Sequence, residues 1–497
     1  MQRPLSSNRA MRSLPVIRAP FCGAVEELRA APDVERAFIA LADQPHCIFF
    51  DSARQQRELG RYSFLAADPY DVVQLSNQEA ITATAAKQAS VFALLDARLA
   101  PFATETIPGL PPFQGGMAGV FSYDLNRTVE RIPAARFDEF SVPALAVGLY
   151  DVVLAIDHVE QKAWIVSQGW PERDLARRRQ RAEDRLKQFK DWSRVQGSGF
   201  RIQGTDACAL AVSSASLAPQ FPVLSGTELT SNFSCPEYLK TVEDAIEYIR
   251  AGDIFQVNLA QRLLHPARDD SPSLYLRMRR RNPAPFAAYF DLGEFQIVSA
   301  SPERFLNAVN HHVEARPIKG TRRRCSSPEA DLFAGDELLQ SEKDRAENVM
   351  IVDLLRNDLS RVCTPESVRV SELCRLESYE FVQHLVSVVR GELRPECGPF
   401  ALLAASFPGG SITGAPKVRA MEIIAELEPT ARGAYCGCLG YIGFDGAMDT
   451  NILIRTITAG RGWWQLPVGG GIVAQSDPLR EYEETWHKAE GILRALE

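Results

Sequence analysis

Short apolar runs bounded by turn residues recur along most of this 497-residue chain. The longest, Leu145 to Ile156, reads LAVGLYDVVLAI, and shorter runs such as Cys47 to Phe50 repeat the pattern. Such runs, rich in β-branched and aromatic residues, favour strands over helices. The N-terminal part of the chain is therefore predicted to be built on a substantial sheet.

Changes in composition divide the chain into four parts. Residues 1–20 are polar and interrupted by proline, which predicts a flexible tail. Region 21–192 holds the strand-like runs and closes with a charged helix predicted over residues 172–192. Residues 193–234 are rich in Ser, Gly, Thr and Ala without a sustained period, so they are predicted to be a linker. A new pattern then begins and runs over 235–497.

Region 235–497 alternates helical and strand-like segments. A helix is predicted from Pro236, with apolar positions at helical spacing, to a stop at Gly252, and an apolar strand follows at once. Further helices are predicted over 338–357, 416–427 and 481–496, and strands over 295–299, 376–390, 437–444 and 451–459.

Charge and cysteine content exclude several classes of protein. A net charge of -8 without a basic stripe argues against nucleic-acid binding. The ten cysteines form no CxxC pair, which is typical of free thiols in a reducing cytosol. The chain contains neither a secretory signal nor a long apolar span. We therefore expect a cytoplasmic protein that does not enter a membrane.

Two predicted helices carry carboxylates one turn apart. Asp344 and Glu347 lie on one helix face, and Glu481 and Glu484 lie on another. If these faces meet in a cleft, they form an all-oxygen site suited to a hard cation such as Mg²⁺. The alternative is that both faces are simply solvated.

A constrained lysine is the second candidate. Lys319 lies between Pro317 and Gly320, so it projects from a turn where a ligand can approach the backbone closely. A lysine desolvated beside a cleft can act as a nucleophile, whereas an exposed loop lysine has no such role. Glycine-rich stretches at 408–417 and 467–478 can hold anions at backbone amides or can be tight turns.

The order of these motifs resembles the chorismate-utilising family, which includes anthranilate, aminodeoxychorismate, isochorismate and salicylate synthases. The resemblance covers about residues 236–497, and less specifically the N-terminal half through GRYSFLAADP and GGMAGVFSYD. Motifs that carry it include IFQVNLAQR (254–262), SPERF (301–305), PIKGT (317–321), DRAENVMIVDLLRND (344–358), GGSITGAPK (409–417) and EYEETWHKA (481–489). It implies an α+β fold in which large antiparallel sheets pack orthogonally between helices, with the active site in a C-terminal cleft.

The resemblance also implies roles for individual residues. Glu347 and Glu484 match the positions that hold Mg²⁺, and Asp344 and Glu481 match further acidic ligands that often act through water. Glu303 matches the general acid that protonates the departing C4 hydroxyl of chorismate. The substrate-binding positions and the residue near the reacting centre are Gln256, Gly320, Thr321, Ser411, Tyr435, Arg455, Gly471 and Lys488, together with His384.

Two positions discriminate within the family. In isochorismate and salicylate synthases, the position that matches Gln256 holds a lysine that activates water. The amide of Gln256 cannot act as a base. The second position lies in the motif at 317–321. This motif resembles PIAGT in anthranilate synthases and PIKGT in aminodeoxychorismate synthases, and this chain has PIKGT. The resemblance thus implies that Lys319 adds covalently at C2, followed by ammonia at C4, giving 4-amino-4-deoxychorismate for p-aminobenzoate and folate.

This reaction requires a source of ammonia, and no part of the chain resembles a glutamine amidotransferase, so we expect that subunit to be a separate partner. Two alternatives stay open at this stage: anthranilate synthase component I, and a catalytically silent homologue that only binds chorismate. The stretch Phe49 to Ser52 (FFDS) corresponds to an LLES-like motif of the tryptophan pocket of anthranilate synthases. Here we expect it to pack in the core, and the alternative is a vestigial or tryptophan-filled pocket.

Overall fold

The computed structural model describes residues 18–53, 59–87, 89–193, 211–324, 327–378 and 382–497. Most of the tail 1–20 and residues 194–210 of the linker lie outside the described residues. The described strands are β1 (Ala24–Glu27), β2 (Ile48–Asp51), β3 (Tyr62–Ala66), β4 (Asp71–Leu75), β5 (Gly116–Phe121), β6 (Leu145–Tyr150), β7 (Val152–Asp157), β8 (Lys162–Ser167), β9 (Phe221–Pro222), β10 (Thr230–Ser231), β11 (Gln256–Pro266), β12 (Phe286–Asp291), β13 (Phe295–Ser301), β14 (Arg304–Val309), β15 (His312–Ala315), β16 (Ile318–Arg323), β17 (Arg369–Ser378), β18 (Val382–Glu392), β19 (Gly414–Ala415), β20 (Cys438–Gly443), β21 (Met448–Ile452), β22 (Thr456–Gly460) and β23 (Trp463–Ile472). The described α-helices are α1 (Val34–Leu41), α2 (Asn77–Lys87), α3 (Val91–Leu99), α4 (Leu175–Ser193), α5 (Cys235–Arg250), α6 (Ser271–Arg281), α7 (Pro328–Gln340), α8 (Glu342–Ser360), α9 (Pro399–Ser406), α10 (Lys417–Leu427) and α11 (Pro478–Leu493).

The strands form two large antiparallel sheets. In the larger sheet the order is β1-β8-β7-β3-β2-β12-β13-β22-β23-β11-β10-β9, with β19 beside β11. In the smaller sheet it is β16-β18-β15-β14-β21-β20-β5-β6-β4, with β17 also beside β18. Both sheets combine strands from before and after residue 235. Large antiparallel sheets with helices confirm the predicted α+β class.

Aromatic side chains join the two sheets. Phe113 stacks on Tyr441 with ring centroids 4.4 Å apart, and Phe50 and Phe64 approach Tyr441 edge-on at 5.7 and 5.8 Å. Tyr441 belongs to the smaller sheet, whereas Phe50 and Phe64 belong to the larger one. Burying these rings between the sheets contributes to the apolar contact that holds the sheets together.

The apolar run at 145–156 forms two strands in different sheets. β6 joins the smaller sheet and β7 the larger, and the fully buried Asp151 separates them. Arg181 and Arg185 of α4 approach its carboxylate at 3.6 and 3.4 Å. A buried carboxylate requires such cationic partners. The contacts therefore hold α4 against Asp151, where the chain passes from one sheet to the other.

Most predicted helices are correct in place, but three segments differ from the prediction. The helix predicted over 338–357 is interrupted at Ser341, which ends α7 and caps α8 by accepting a hydrogen bond from the amide of Asp344 at 3.3 Å. The run 376–390 spans parts of two paired strands, β17 and β18. The run 451–459 supplies β21 and β22, which lie in different sheets. Apolar periodicity does not reveal such breaks.

The structure also bears on the FFDS stretch, on the predicted linker and on membrane-spanning helices. Asp51 of FFDS is buried and accepts hydrogen bonds from Tyr275 at 2.9 Å and Arg279 at 2.7 Å, as core packing predicts. In the segment predicted as a linker, β9 and β10 extend the edge of β11. Across the described helices, none is both long enough and apolar enough to cross a membrane.

Candidate active site

A cleft of about 1540 Å³ opens between the two sheets. One wall comes from β11, β23 and α11, and the opposite wall comes from β16, β18 and α8. The predicted site residues that line it are Glu303, Lys319, Gly320, Asp344, Glu347, His384, Ser411, Tyr435, Arg455, Gly471, Glu484 and Lys488. The tertiary structure thus gathers residues from motifs that lie up to 185 positions apart in sequence.

Lys319 and Glu347 form the centre of the site. The Lys319 Nζ donates to Glu347 Oε1 at 2.6 Å and to the carbonyl oxygen of Ser411 at 3.2 Å. Both side chains are largely buried, with 12% and 10% of their surface exposed. Gln256, which is fully buried behind them, donates its amide to the same Glu347 oxygen at 2.6 Å. The lysine is therefore a desolvated cleft residue and not an exposed loop residue.

Charge around this pair determines its protonation. Burial alone lowers the pKa of Lys319, but Glu347, Glu303 and Glu484 together outweigh it and raise that pKa above the ordinary value. Burial conversely raises the pKa of Glu347, and Lys319 with Gln256 outweighs it, so the pKa of this carboxyl is lowered. The pair is thus an ammonium bound to a carboxylate.

Glu303 is a carboxyl group held in a different state. It is 5% exposed and accepts a hydrogen bond from the Ser411 hydroxyl at 2.8 Å. Burial raises the pKa of Glu303 to about 7, although Ser411 and Lys319 act in the opposite direction. An acid with a pKa near neutrality can hold and release a proton at physiological pH, which is the property required of a general acid.

Arg455 faces the cleft without a counter-ion. No ion pair or hydrogen bond to its guanidinium occurs in the described ranges, and burial lowers its pKa. Its backbone φ of 50° lies in the left-handed region, which is uncommon for a side chain of this size. A cleft-facing guanidinium with free donors is suited to binding a carboxylate in two parallel hydrogen bonds.

Two glycines of β23 lie against charged side chains of the site. A Cβ on Gly471 would lie 2.4 Å from Gln256 Nε2 and 2.7 Å from Glu347 Oε1. A Cβ on Gly470 would lie within 3.4 to 3.6 Å of Glu484, Lys488 and Glu481. The absence of a side chain at Gly471 lets the Glu347 carboxylate of α8 approach this strand, whereas a Cβ at Gly470 would make only ordinary van der Waals contacts.

The acidic residues of α11 are bound to lysines. Glu484 Oε1 pairs with Lys488 Nζ at 2.7 Å, and Lys488 also donates to the carbonyl oxygen of Gly469 at 2.8 Å. Buried Glu481 accepts from Lys343 at 3.1 Å through one oxygen, while its Oε2 is buried without a hydrogen-bond partner. That unsatisfied oxygen is an open acceptor beside the cleft.

Gly320 lies in β16, beside Thr321 and opposite His384 of β18. Its φ of 73° and the bulge between Lys319 and Thr321 explain the glycine, because a Cβ would meet Leu338 at 2.8 Å. Buried His384 faces the Gly320 carbonyl oxygen, with its Nδ1 at 3.4 Å. The backbone of Thr321 lies in β16, but its side chain is outside the described part of the structure.

The four acidic residues do not form one compact group. Within the described ranges no three Asp, Glu, His or Cys side chains converge as ligands of a metal ion. Asp344 lies near Arg322 at 3.6 Å, while Glu347 and Glu484 are held by lysines. Any cation here would therefore share its coordination sphere with water or with a bound carboxylate.

Sequence reasoning missed several residues that line the cleft. Arg432, Asn258 and Lys343 line the cleft, and Arg432 is buried against Glu428. The signal for Arg432 was its place three residues before Tyr435, in a loop already tied to the site.

Comparison with known proteins identifies the family. The model of the chorismate binding enzyme family matches residues 45–494. The chain belongs to the chorismate-binding enzyme family. A relative named aminodeoxychorismate synthase component 1, from Salmonella typhimurium, is 38% identical over 94% of this chain and 96% of its own length. This confirms the predicted family.

Relatives with another activity are equally similar to this chorismate-binding enzyme. A protein named anthranilate synthase component 1 from Thermus thermophilus is 42% identical over 79% of this chain and 80% of its own. A crystal structure of anthranilate synthase component I from Streptococcus pneumoniae is 29% identical, with a TM-score of 0.72, and covers 87% of this chain and 92% of that one. Overall similarity therefore does not distinguish the two reactions. Only individual site residues can distinguish them.

Proposed function

We propose that this enzyme aminates chorismate at C4 to give 4-amino-4-deoxychorismate. The observation that carries the proposal is Lys319, whose amine lies inside the cleft within hydrogen-bond distance of Glu347 and beside Glu303. A lysine with no catalytic task would be costly at this depth, because burying an ammonium requires a carboxylate partner. Its position supports a nucleophilic role.

The proposed reaction is two successive allylic displacements. In the first, the neutral Lys319 amine bonds to C2, the ring double bond shifts, and the C4–O bond breaks as Glu303 gives its proton to the departing hydroxyl. In the second, ammonia bonds to C4, the double bond shifts back, and the C2–N bond breaks to return the lysine amine. The proton lost by the new C4 ammonium restores Glu303. The balance is chorismate plus ammonia to aminodeoxychorismate plus water.

The neutral amine required by the first step is not the form that the free site favours, because Glu347 holds Lys319 as an ammonium. Glu347 is also a proposed magnesium ligand. A Glu347 carboxylate shared between Lys319 and a cation would stabilise the lysine ammonium less strongly.

The donor set fits a hard, partly hydrated cation, and we propose Mg²⁺. Glu347 and Glu484 would hold it, with Asp344 and Glu481 acting through water; the open Glu481 Oε2 beside Gly470 supports this assignment. Bound there, Mg²⁺ would supply positive charge to offset the ring carboxylate of chorismate.

The remaining contacts would orient the substrate. Arg455 offers unpaired donors to one carboxylate, and the backbone near Gly471 and Gly320 leaves space for the ring. Tyr435, Lys488 and Ser411 line the same surface. These groups fit a small dianion better than a nucleotide, since the site has no phosphate-binding loop.

We propose that ammonia comes from a separate glutamine amidotransferase subunit. The relatives named component 1 support a two-component enzyme. Ammonia is mostly protonated near neutral pH, so release beside the cleft would raise the concentration of the reactive form.

A product assay tests the proposal. Purified protein with chorismate, Mg²⁺ and ammonium salts at alkaline pH should form aminodeoxychorismate, identified by mass spectrometry, and glutamine should replace ammonium only after an amidotransferase is added. Lys319→Ala should abolish amination at C4, while Lys240→Ala, which removes an exposed lysine of α5, serves as the control for loss of a lysine. C4 amination by Lys319→Ala at the parent rate would refute the covalent step.

Anthranilate synthesis is the second candidate, favoured by the 42% identical relative from Thermus thermophilus. It predicts anthranilate and pyruvate in the same assay. Binding of chorismate without either product would instead favour a silent homologue.

A further inference from the structure

A buried ion pair beside the cleft has no part in the proposed steps. Arg432 Nη2 lies 2.6 Å from Glu428 Oε1, and Arg432 Nε donates to Glu428 Oε2 at 2.8 Å. The two side chains are only 4% and 5% exposed, and Arg432 lines the cleft. The pair is therefore a charged group kept at the site despite the cost of desolvation.

The other donors of Arg432 connect separate segments of the site. Nη1 donates to the carbonyl oxygen of Ile412 at 3.0 Å, and Nη2 donates to that of Asn258 at 2.8 Å. Glu428 Oε1 in turn accepts from the amide of Ala260 at 2.8 Å. The pair thus links the end of α10, the strand β11 and the segment that carries Ser411.

Ser411 is the residue next to Ile412, and it contacts both proposed reacting side chains. Its hydroxyl donates to Glu303 at 2.8 Å, and its carbonyl oxygen accepts from Lys319 at 3.2 Å. A shift of this peptide would change both contacts at once. The guanidinium also lies over the Tyr123 ring at 4.6 Å, with the Tyr435 ring at 5.9 Å, which fixes its plane.

We propose that Arg432, held by Glu428, is a positioning residue that orients Ser411 and through it the general acid Glu303. This role rests on the proposed function. A planar guanidinium can donate in several directions in one plane, whereas a lysine cannot reach Glu428, Ile412 and Asn258 together. Arg432→Lys therefore keeps the charge but releases the Ser411 segment.

The pH dependence of kcat/KM separates positioning from plain stabilisation. Among the described residues, the groups that act on Glu303 are the Ser411 hydroxyl, the Lys319 ammonium, the backbone amide of Ile318 and the Cys436 thiol. Ser411→Ala removes a hydrogen bond that favours ionised Glu303, so the pKa of this carboxyl should rise. The high-pH limb, where kcat/KM falls as Glu303 loses its proton, should then move up by roughly one pH unit. Arg432→Lys should move it in the same direction, and the double variant should move it no further than Ser411→Ala alone.

A matched control is available in the Arg262–Glu139 pair. It is similarly buried, with side chains 5% and 8% exposed, and Arg262 does not line the cleft. Arg262→Lys should lower the melting temperature without moving the limb. If Arg432→Lys behaves like Arg262→Lys, the positioning role is wrong. If Arg432→Lys fails to fold, Glu428→Gln takes its place and is expected to shift the limb in the same direction.

A measurement without turnover keeps this inference distinct from the proposed function. The infrared band of the protonated Glu303 carboxyl, assigned by its loss in Glu303→Gln, can be titrated in the free protein. Its midpoint should rise in Ser411→Ala and Arg432→Lys but not in Arg262→Lys. An inactive wild type would refute the amination of chorismate, while an unchanged midpoint in Arg432→Lys would refute the role of Arg432.

Discussion

The burial of Glu303, the proposed general acid, lowers the stability of the folded protein at neutral and alkaline pH. The folded protein holds its proton up to a pKa of about 7, against 4.5 for the free group, so folded protein loses stability as pH rises between these values. The difference corresponds to about 3 kcal/mol. Glu303→Gln should lose turnover by about 10²-fold or more and gain stability relative to wild type at about pH 8 but not at about pH 4.

Urea unfolding of both proteins at the two pH values measures the effect on Glu303. Glu314→Gln, which removes a partly exposed carboxylate of β15, provides the same substitution at a second site for comparison. Equal pH dependence for Glu303→Gln and wild type would contradict the buried, raised-pKa acid.

Gly471 tests the space beside the carboxylates. In Gly471→Ala the new methyl group would collide with Gln256 and Glu347, so chorismate and Mg²⁺ should bind more weakly, with a loss of about 1–3 kcal/mol in stability. Calorimetric titration measures the binding. Gly398→Ala, where nothing lies within 4 Å of the added Cβ, should bind like the parent. Tight binding by Gly471→Ala would show that this strand does not border the ligand.

At the scale of elements, an ion pair joins α8 to α10. Lys417 Nζ contacts Asp358 at 2.6 Å, with side chains 15% and 4% exposed, so removing the lysine leaves a buried carboxylate unpaired. Lys417→Met should cost about 3–5 kcal/mol, and adding Asp358→Asn should restore most of it. Chemical denaturation measures both. Arg356→Ala, which breaks an exposed pair on the same helix, should cost less than about 1 kcal/mol.

At the scale of the whole molecule, both sheets need both parts of the chain. β12 pairs with β2, and β20 pairs with β5, so residues 235–497 alone would expose two unpaired strand edges. We expect this fragment to aggregate and the full chain to unfold in one transition. Circular dichroism during denaturation checks this; an independently folded, soluble fragment would contradict it.

Local information was sufficient for much of the protein. The start of α5 follows from its capping residues, since Ser234 and Glu237 form a reciprocal capping box. The α+β class follows from the family that the motifs resemble. The proposed site residues were also indicated by the sequence, because the motifs around Glu303, Lys319 and Glu347 resemble one family closely.

Contacts between distant residues decided the rest. By itself the sequence determined the family, the fold class and the chemistry available at Lys319 and Glu303, because these depend on residue type and local order. Only the tertiary structure decided that one apolar run enters two sheets, that Glu347 holds Lys319 as an ammonium, and that Arg432 contacts the segment of Ser411. Those outcomes depend on burial and on charges brought together from remote positions, which no local pattern records.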